Sequence, residues 1–247
     1  MLVLLLGACS AKNPLTDFRF QAVPASPYVI ASWHRIDKPG EPLKIYIEGD
    51  GHAFNSAGQP TDNPTPNSSF WRQVAADDPS PNVAYLGRPC QYLQAGSCSQ
   101  KDWTSGRFSP EIIDSMSHVI QGLQKKARAP KVILIGYSGG AQIAGLSAVH
   151  QPDAVARIIT VAGVLDTDAW TTYHGDEPLT DSLNLRNYLS AFLDIPQHHY
   201  VGGRDKVVPP ILTQELIQND ALITIVPKAT HTKGWKDTLH EIYEVTQ

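Results

Sequence analysis

Hydrophobic spacing changes period repeatedly along this chain, and each change marks an element. The run Val132-Ile133-Leu134-Ile135 is apolar without interruption, as in a strand buried on both faces, and beyond it Ala141, Ile143, Ala144, Leu146, Ala148 and Val149 recur as in a helix packed closely against that strand. Upstream, residues 28–36 and the alternating run 43–48 read as strands, followed by a short strand over 82–86. Ser109 followed by Pro110 starts a helix whose core face carries Ile112, Met116, Val119, Ile120 and Leu123. Downstream the pattern predicts strands over 157–162, 198–201 and 221–226 and helices over 183–191, 209–218 and 235–245, with a further short helix over 69–76. Strands alternating with helices in this way predict an α/β fold, a mostly parallel, twisted central sheet with helices on both faces. The stretches 53–81, 87–109 and 163–193 read mostly as loop, each too short for a full cap domain. Residues 11–27 contain Pro14, Pro24 and Pro27 and keep no period, which predicts a tether.

Composition agrees with one globular domain over residues 28–247. The 247 residues are 42% hydrophobic and 18% charged, enough to bury a substantial core without help from metals. A net charge of −4 provides no basic field, which argues against a nucleic-acid partner; Lys125, Lys126 and Arg128, the densest positive patch, read as a solvated helix end. The amino terminus, Leu2 to Leu6 followed by Gly7-Ala8-Cys9-Ser10, resembles the end of a bacterial lipoprotein signal peptide and is too short to span a bilayer. No Lys or Arg precedes the apolar run, so residues 1–8 read as a truncated signal segment and 9–27 as the tether. The resemblance implies lipid attachment at Cys9 and, with Ser10 rather than Asp next to it, an outer-membrane destination facing the periplasm. Cys90 and Cys98 then remain as an even pair within one loop, which an oxidising compartment would join; in a cytosolic chain they would be free thiols.

Candidate chemistry lies between the buried strand and its helix, in Gly136-Tyr137-Ser138-Gly139-Gly140. A strand that turns into a helix within one or two residues strains the serine backbone and needs residues without bulk at Gly136 and Gly140. The turn lifts the Ser138 hydroxyl clear of the sheet and points the Gly139 N–H to where an oxyanion would form. Serine is a weak nucleophile unless a base takes its proton and an acid orients that base, in the chain order Ser, Asp or Glu, His. His231, in a loop after the last strand, can reach the sheet's C-terminal edge, whereas His240 lies inside the last helix. Asp205, after the strand 198–201, is the preferred acid; Asp166, one strand earlier, is its competitor, and Asp194 precedes its strand and lies at the wrong end.

The elbow at Ser138, the stretch Gly202-Gly203-Arg204-Asp205-Lys206-Val207-Val208-Pro209 and the late His231 together resemble the α/β-hydrolase superfamily from about residue 28 onward. The resemblance implies a serine hydrolase with an acyl-enzyme intermediate, acting on carboxylic esters of small to medium acyl groups. It aligns Glu48-Gly49-Asp50-Gly51 with the loop that supplies the second oxyanion N–H, here that of Asp50, with Glu48 standing where histidine is usual. Peptidase, thioesterase and acyltransferase activities on the same scaffold, or a lipid-anchored binding protein without catalysis, are the alternatives. Trp71, Trp103, Trp170, Tyr173 and Trp235 lie in or beside segments expected at the functional edge and suggest an aromatic wall. No metal or cofactor is expected: His198 and His199 are neighbours in a strand and leave opposite faces, and Gly136 to Gly140 matches neither a phosphate loop nor a dinucleotide fingerprint.

Overall fold

A computed structural model of the protein describes residues 17–94 and 97–245. The expected signal segment 1–8, Cys9 and the tether up to residue 16 lie outside the described residues.

The described residues form an eight-stranded sheet, in which β3 (Leu43–Ile47), β4 (Asn82–Leu86), β5 (Val132–Tyr137), β6 (Val155–Val161), β7 (Gln197–Gly202) and β8 (Ile223–Val226) run parallel. Two antiparallel strands, β1 (Arg19–Ala25) and β2 (Tyr28–Ile36), extend it beyond β4, giving the order β1-β2-β4-β3-β5-β6-β7-β8. Side chains alternate between two cores, as strand geometry dictates. Leu43, Ile45 and Ile47 of β3 and Val132 and Leu134 of β5 pack with α2 (Pro110–Ala127) and α3 (Gly140–His150). Tyr46, Ile133, Ile135 and Tyr137 pack instead with Trp71 and Val74 of α1 (Phe70–Asp77) and with Trp235 and Ile242 at α7 (Lys236–Glu244). Helices thus cover both faces.

Several details differ from the pattern in the sequence. Residues 19–25, expected within the tether, are β1, paired with β2 from Arg19↔His34 to Ala25↔Tyr28. As an edge strand it exposes most of its side chains, so no apolar alternation announces it, and Pro24 is tolerated because an edge need not donate on its outer side. The stretch 163–193 contains an unexpected helix, α4 (Thr167–His174), while the helix expected over 183–191 is a 3₁₀ turn, Leu185–Tyr188, leading into α5 (Leu189–Leu193). α6 (Pro210–Ile217) follows β7 as the pattern predicts. Among the described residues no helix is long and apolar enough to cross a membrane.

Because β4 and β5 lie on opposite sides of β3, the loops leaving β3 and β5 diverge at their carboxyl ends and open a crevice there. The residues singled out by their chemistry gather at this crevice.

Candidate active site

β5 ends at Tyr137 and α3 begins at Gly140, so Ser138 and Gly139 are the entire connection. Ser138 takes φ 51°, a left-handed conformation costly for a residue with a Cβ. Hydrogen bonds hold it there: its N–H donates to Val161 and its carbonyl accepts from Val164, both at 3.0 Å, tying the elbow to the end of β6. The flanking glycines are sterically required. A Cβ at Gly136 would lie 2.6 Å from Ala141 Cα, and one at Gly140 would run into the Ile47 carbonyl of β3.

His231 Nε2 lies 3.0 Å from Ser138 Oγ, and its Nδ1 lies 2.9 Å from Asp205 Oδ2. Asp205, only 4% exposed, is itself oriented, because its other oxygen accepts the backbone N–H groups of Val207 and Val208 at 2.8 and 2.9 Å. The loop bearing His231 is fixed by its own carbonyl, which accepts from the Tyr137 hydroxyl at 2.9 Å and the Trp235 indole N–H at 3.2 Å. These two supports are not apparent from the motif. The only hint is that Trp235 stands four residues after His231, where an indole can reach back to a carbonyl.

The competing acid, Asp166, does different work. Its Oδ1 accepts from Asp168 N, Ala169 N and Asn184 Nδ2, capping α4, and its Oδ2 pairs with Arg186 at 2.8 Å. Burial would raise its carboxyl, but these hydrogen bonds, Asn184 foremost, hold it below the ordinary range. His240 is exposed on α7. Asp194 is exposed between α5 and β7, at the opposite edge of the sheet.

After β3 the chain runs through Glu48, Gly49 and Asp50 beside the elbow. The N–H groups of Asp50 and Gly139 donate to no protein acceptor among the described residues. Gly49 is held in place: its N–H donates to Glu48 Oε1 and its carbonyl accepts from Gln91 Nε2, both at 2.9 Å. Glu48 Oε2 accepts from the Tyr85 hydroxyl at 2.5 Å, which in turn lies 2.8 Å from that of Tyr92. Burial pushes the Glu48 carboxyl up to about 7, against the opposing pull of these hydrogen bonds and of Arg88 and Arg72. The Asp50 carboxylate turns onto Arg88 and Arg107, whose charges outweigh its burial and hold it at about 2. Cys90 and Cys98 are joined in a disulfide, Cα atoms 5.7 Å apart, and brace the loop that carries Gln91.

A cleft of about 430 Å³ opens over Ser138 and His231, walled by Phe54, Phe70, Trp71 and Trp170. Trp71 and Trp170 are therefore wall residues. Trp103 and Trp235 are buried, and Tyr173 is 56% exposed. A second cleft of about 470 Å³ lies at the sheet edge among Asp17, Arg19, His34 and Lys126; its walls are mostly charged and include no serine, threonine or cysteine. Among the described residues no group of three or more His, Cys, Asp or Glu side chains is gathered where it could hold a metal ion. His199 is spent on Thr160 and Gln197, while His198 faces Thr224.

No family model matches the chain, and no curated protein matches it by sequence. Solved structures do match in shape. Est1E from Butyrivibrio proteoclasticus is 12% identical with a TM-score of 0.65, over 91% of this chain and 96% of its own. An α/β serine hydrolase homologue from Coxiella burnetii is 16% identical with a TM-score of 0.58, over 92% and 94%. A serine hydrolase without a lid from Xanthomonas campestris is 14% identical with a TM-score of 0.56, over 92% and 91%. The protein has the α/β-hydrolase fold.

Proposed function

We propose that this protein is a serine hydrolase that cleaves carboxylic esters of small to medium acyl groups. The observation that carries the reading is the continuous line from Ser138 Oγ through His231 to Asp205, at 3.0 and 2.9 Å, beside two backbone N–H groups left without a protein acceptor among the described residues. Ser138 Oγ attacks the ester carbonyl as His231 Nε2 takes its proton, Asp205 stabilises the imidazolium, and the N–H groups of Asp50 and Gly139 receive the oxyanion. The C–O bond then breaks as the imidazolium returns the proton to the departing alkoxide. Water, deprotonated by His231, releases the acid and restores Ser138. The aromatic walls and the absence of a full cap among the described residues suit compact acyl groups with a flat or unbranched apolar body, and Est1E has been seen with ferulic acid bound.

A fluorophosphonate probe should label Ser138 and stop ester turnover, and Ser138→Ala should abolish both, a loss of roughly a thousandfold or more in kcat. Full turnover by Ser138→Ala would end the proposal. We further propose that the chain is lipid-anchored through Cys9 to the bacterial cell envelope, facing the periplasm and at the outer membrane, as its amino-terminal residues suggest.

A further inference from the structure

The proposed oxyanion hole takes a donor from Asp50, yet that residue carries a carboxylate, the wrong charge to hold beside a developing anion. Its partners account for this. One carboxylate oxygen takes Nη1 of Arg88 and the other takes Nη1 of Arg107 at 2.6 Å. The two arginine side chains are only 5% and 6% exposed. Neither is free to swing: Arg88 Nη2 donates to the Arg107 carbonyl at 2.6 Å over the Phe108 ring, and Arg107 Nε donates to the Thr104 carbonyl at 2.7 Å over the Phe54 ring. Two guanidinium groups directly paired with one carboxylate leave surplus positive charge behind the oxyanion loop, offset in part where Glu48, which also attracts Arg88, is ionised. The cluster also touches the elbow, since a Cβ at Gly139 would run into Asp50 Oδ1 and lie 2.9 Å from Arg88 Nη1. Gly139 is thus packed against the very side chain whose backbone would be the other donor.

We infer that Arg88 and Arg107 are positioning residues for the oxyanion hole: by gripping Asp50 from both sides they set its N–H beside that of Gly139, and their surplus charge favours the tetrahedral anion over the neutral ester. The inference rests on the ester-hydrolase proposal. A neutral ground state gains little from the fixed field, so the effect belongs in kcat rather than KM.

The test compares the full chain with Arg107→Gln and Arg107→Lys, each first checked for a cooperative melt. Read-outs are kcat and KM on p-nitrophenyl butyrate, inhibition by an alkyl boronic acid, which forms a tetrahedral anion on the serine, and inhibition by a neutral ether analogue of the substrate. Arg107→Gln should lower kcat by roughly 10- to 100-fold, with KM and ether binding nearly unchanged, and weaken the boronic acid by a similar factor. Arg107→Lys, which keeps the charge but not the fork, should recover about a tenth or more of the activity. An unchanged kcat, or a loss shared equally by KM and ether binding, overturns the inference. If Arg107→Gln does not fold, Arg107→Lys carries the same criterion: a loss confined to kcat and boronic acid supports it, and an equal loss in ether binding overturns it. A wild type that neither turns over ester nor takes the fluorophosphonate overturns the hydrolase proposal and this inference together, whereas a competent wild type with an unaffected Arg107→Gln overturns this inference alone.

Discussion

Glu48 shows how much one side chain can depend on surroundings that the chain order does not reveal. Its position, directly after β3, is legible from the alternation that ends there, but its burial, its hold on the Gly49 N–H and its partner Tyr85 come from strand pairing across the sheet. The raised carboxyl has a consequence for stability. In the unfolded chain Glu48 loses its proton near its ordinary 4.5, whereas in the folded state it keeps it up to about 7. Folding is therefore favoured fully below about 4.5 and loses ground as pH rises to about 7, by an amount on the order of 3 kcal/mol at most. Glu48→Gln, which cannot ionise, should gain stability over the wild type between pH 5 and pH 7.5 in urea melts; parallel profiles for the two proteins would refute this. Asp50 has the opposite sign, its folded value held at about 2, so its contribution is present above about 3.8 and fades only in acid.

At the scale of elements, the elbow was legible because its demands are local: a buried run, two glycines and a helical period within twenty residues. The edge strand β1 was not, since pairing on one side with exposed side chains leaves no pattern. Nor was α4, whose start depends on Asp166 acting as its cap. That cap also separates the two candidate acids, which sequence order alone left open. Asp205→Asn should keep the fold and lower kcat by about a thousandfold or more, because the hydrogen bond that orients His231 loses its charge. Asp166→Ala should retain most of the turnover while losing roughly 1–2 kcal/mol of stability as α4 loses its cap and Arg186 its partner. Measuring kcat and the urea midpoint for both variants decides it, and the reverse outcome would move the acid to Asp166.

Across the whole molecule, the order of strands matters more than any one of them. Placing β4 and β5 on opposite sides of β3 creates the crevice, and the sequential run β5-β6-β7-β8 carries Ser138, Asp205 and His231 to one edge of it. With β1 in the sheet, only residues 10–18 separate Cys9 from its first residue, Arg19, a span of at most about 36 Å even if fully extended. A lipid at Cys9 would therefore keep the sheet edge close to the membrane surface. Expressed in a Gram-negative host with a complete signal segment restored ahead of Leu2, the wild type should take up labelled palmitate and Cys9→Ser should not; a wild type that takes up no label would count against the anchor. What the amino-acid sequence by itself determined was most of the succession of strands and helices, β1 and α4 excepted, the strained turn at Ser138 and a short list of partners for it, because these follow from spacing and backbone sterics within a few residues. Only the tertiary structure decided between Asp205 and Asp166 as the neighbour of His231 and found the arginine pair that neutralises Asp50. Those outcomes depend on which side chains from distant parts of the chain meet in a space shielded from water, where one charge more or less changes which pairing is stable.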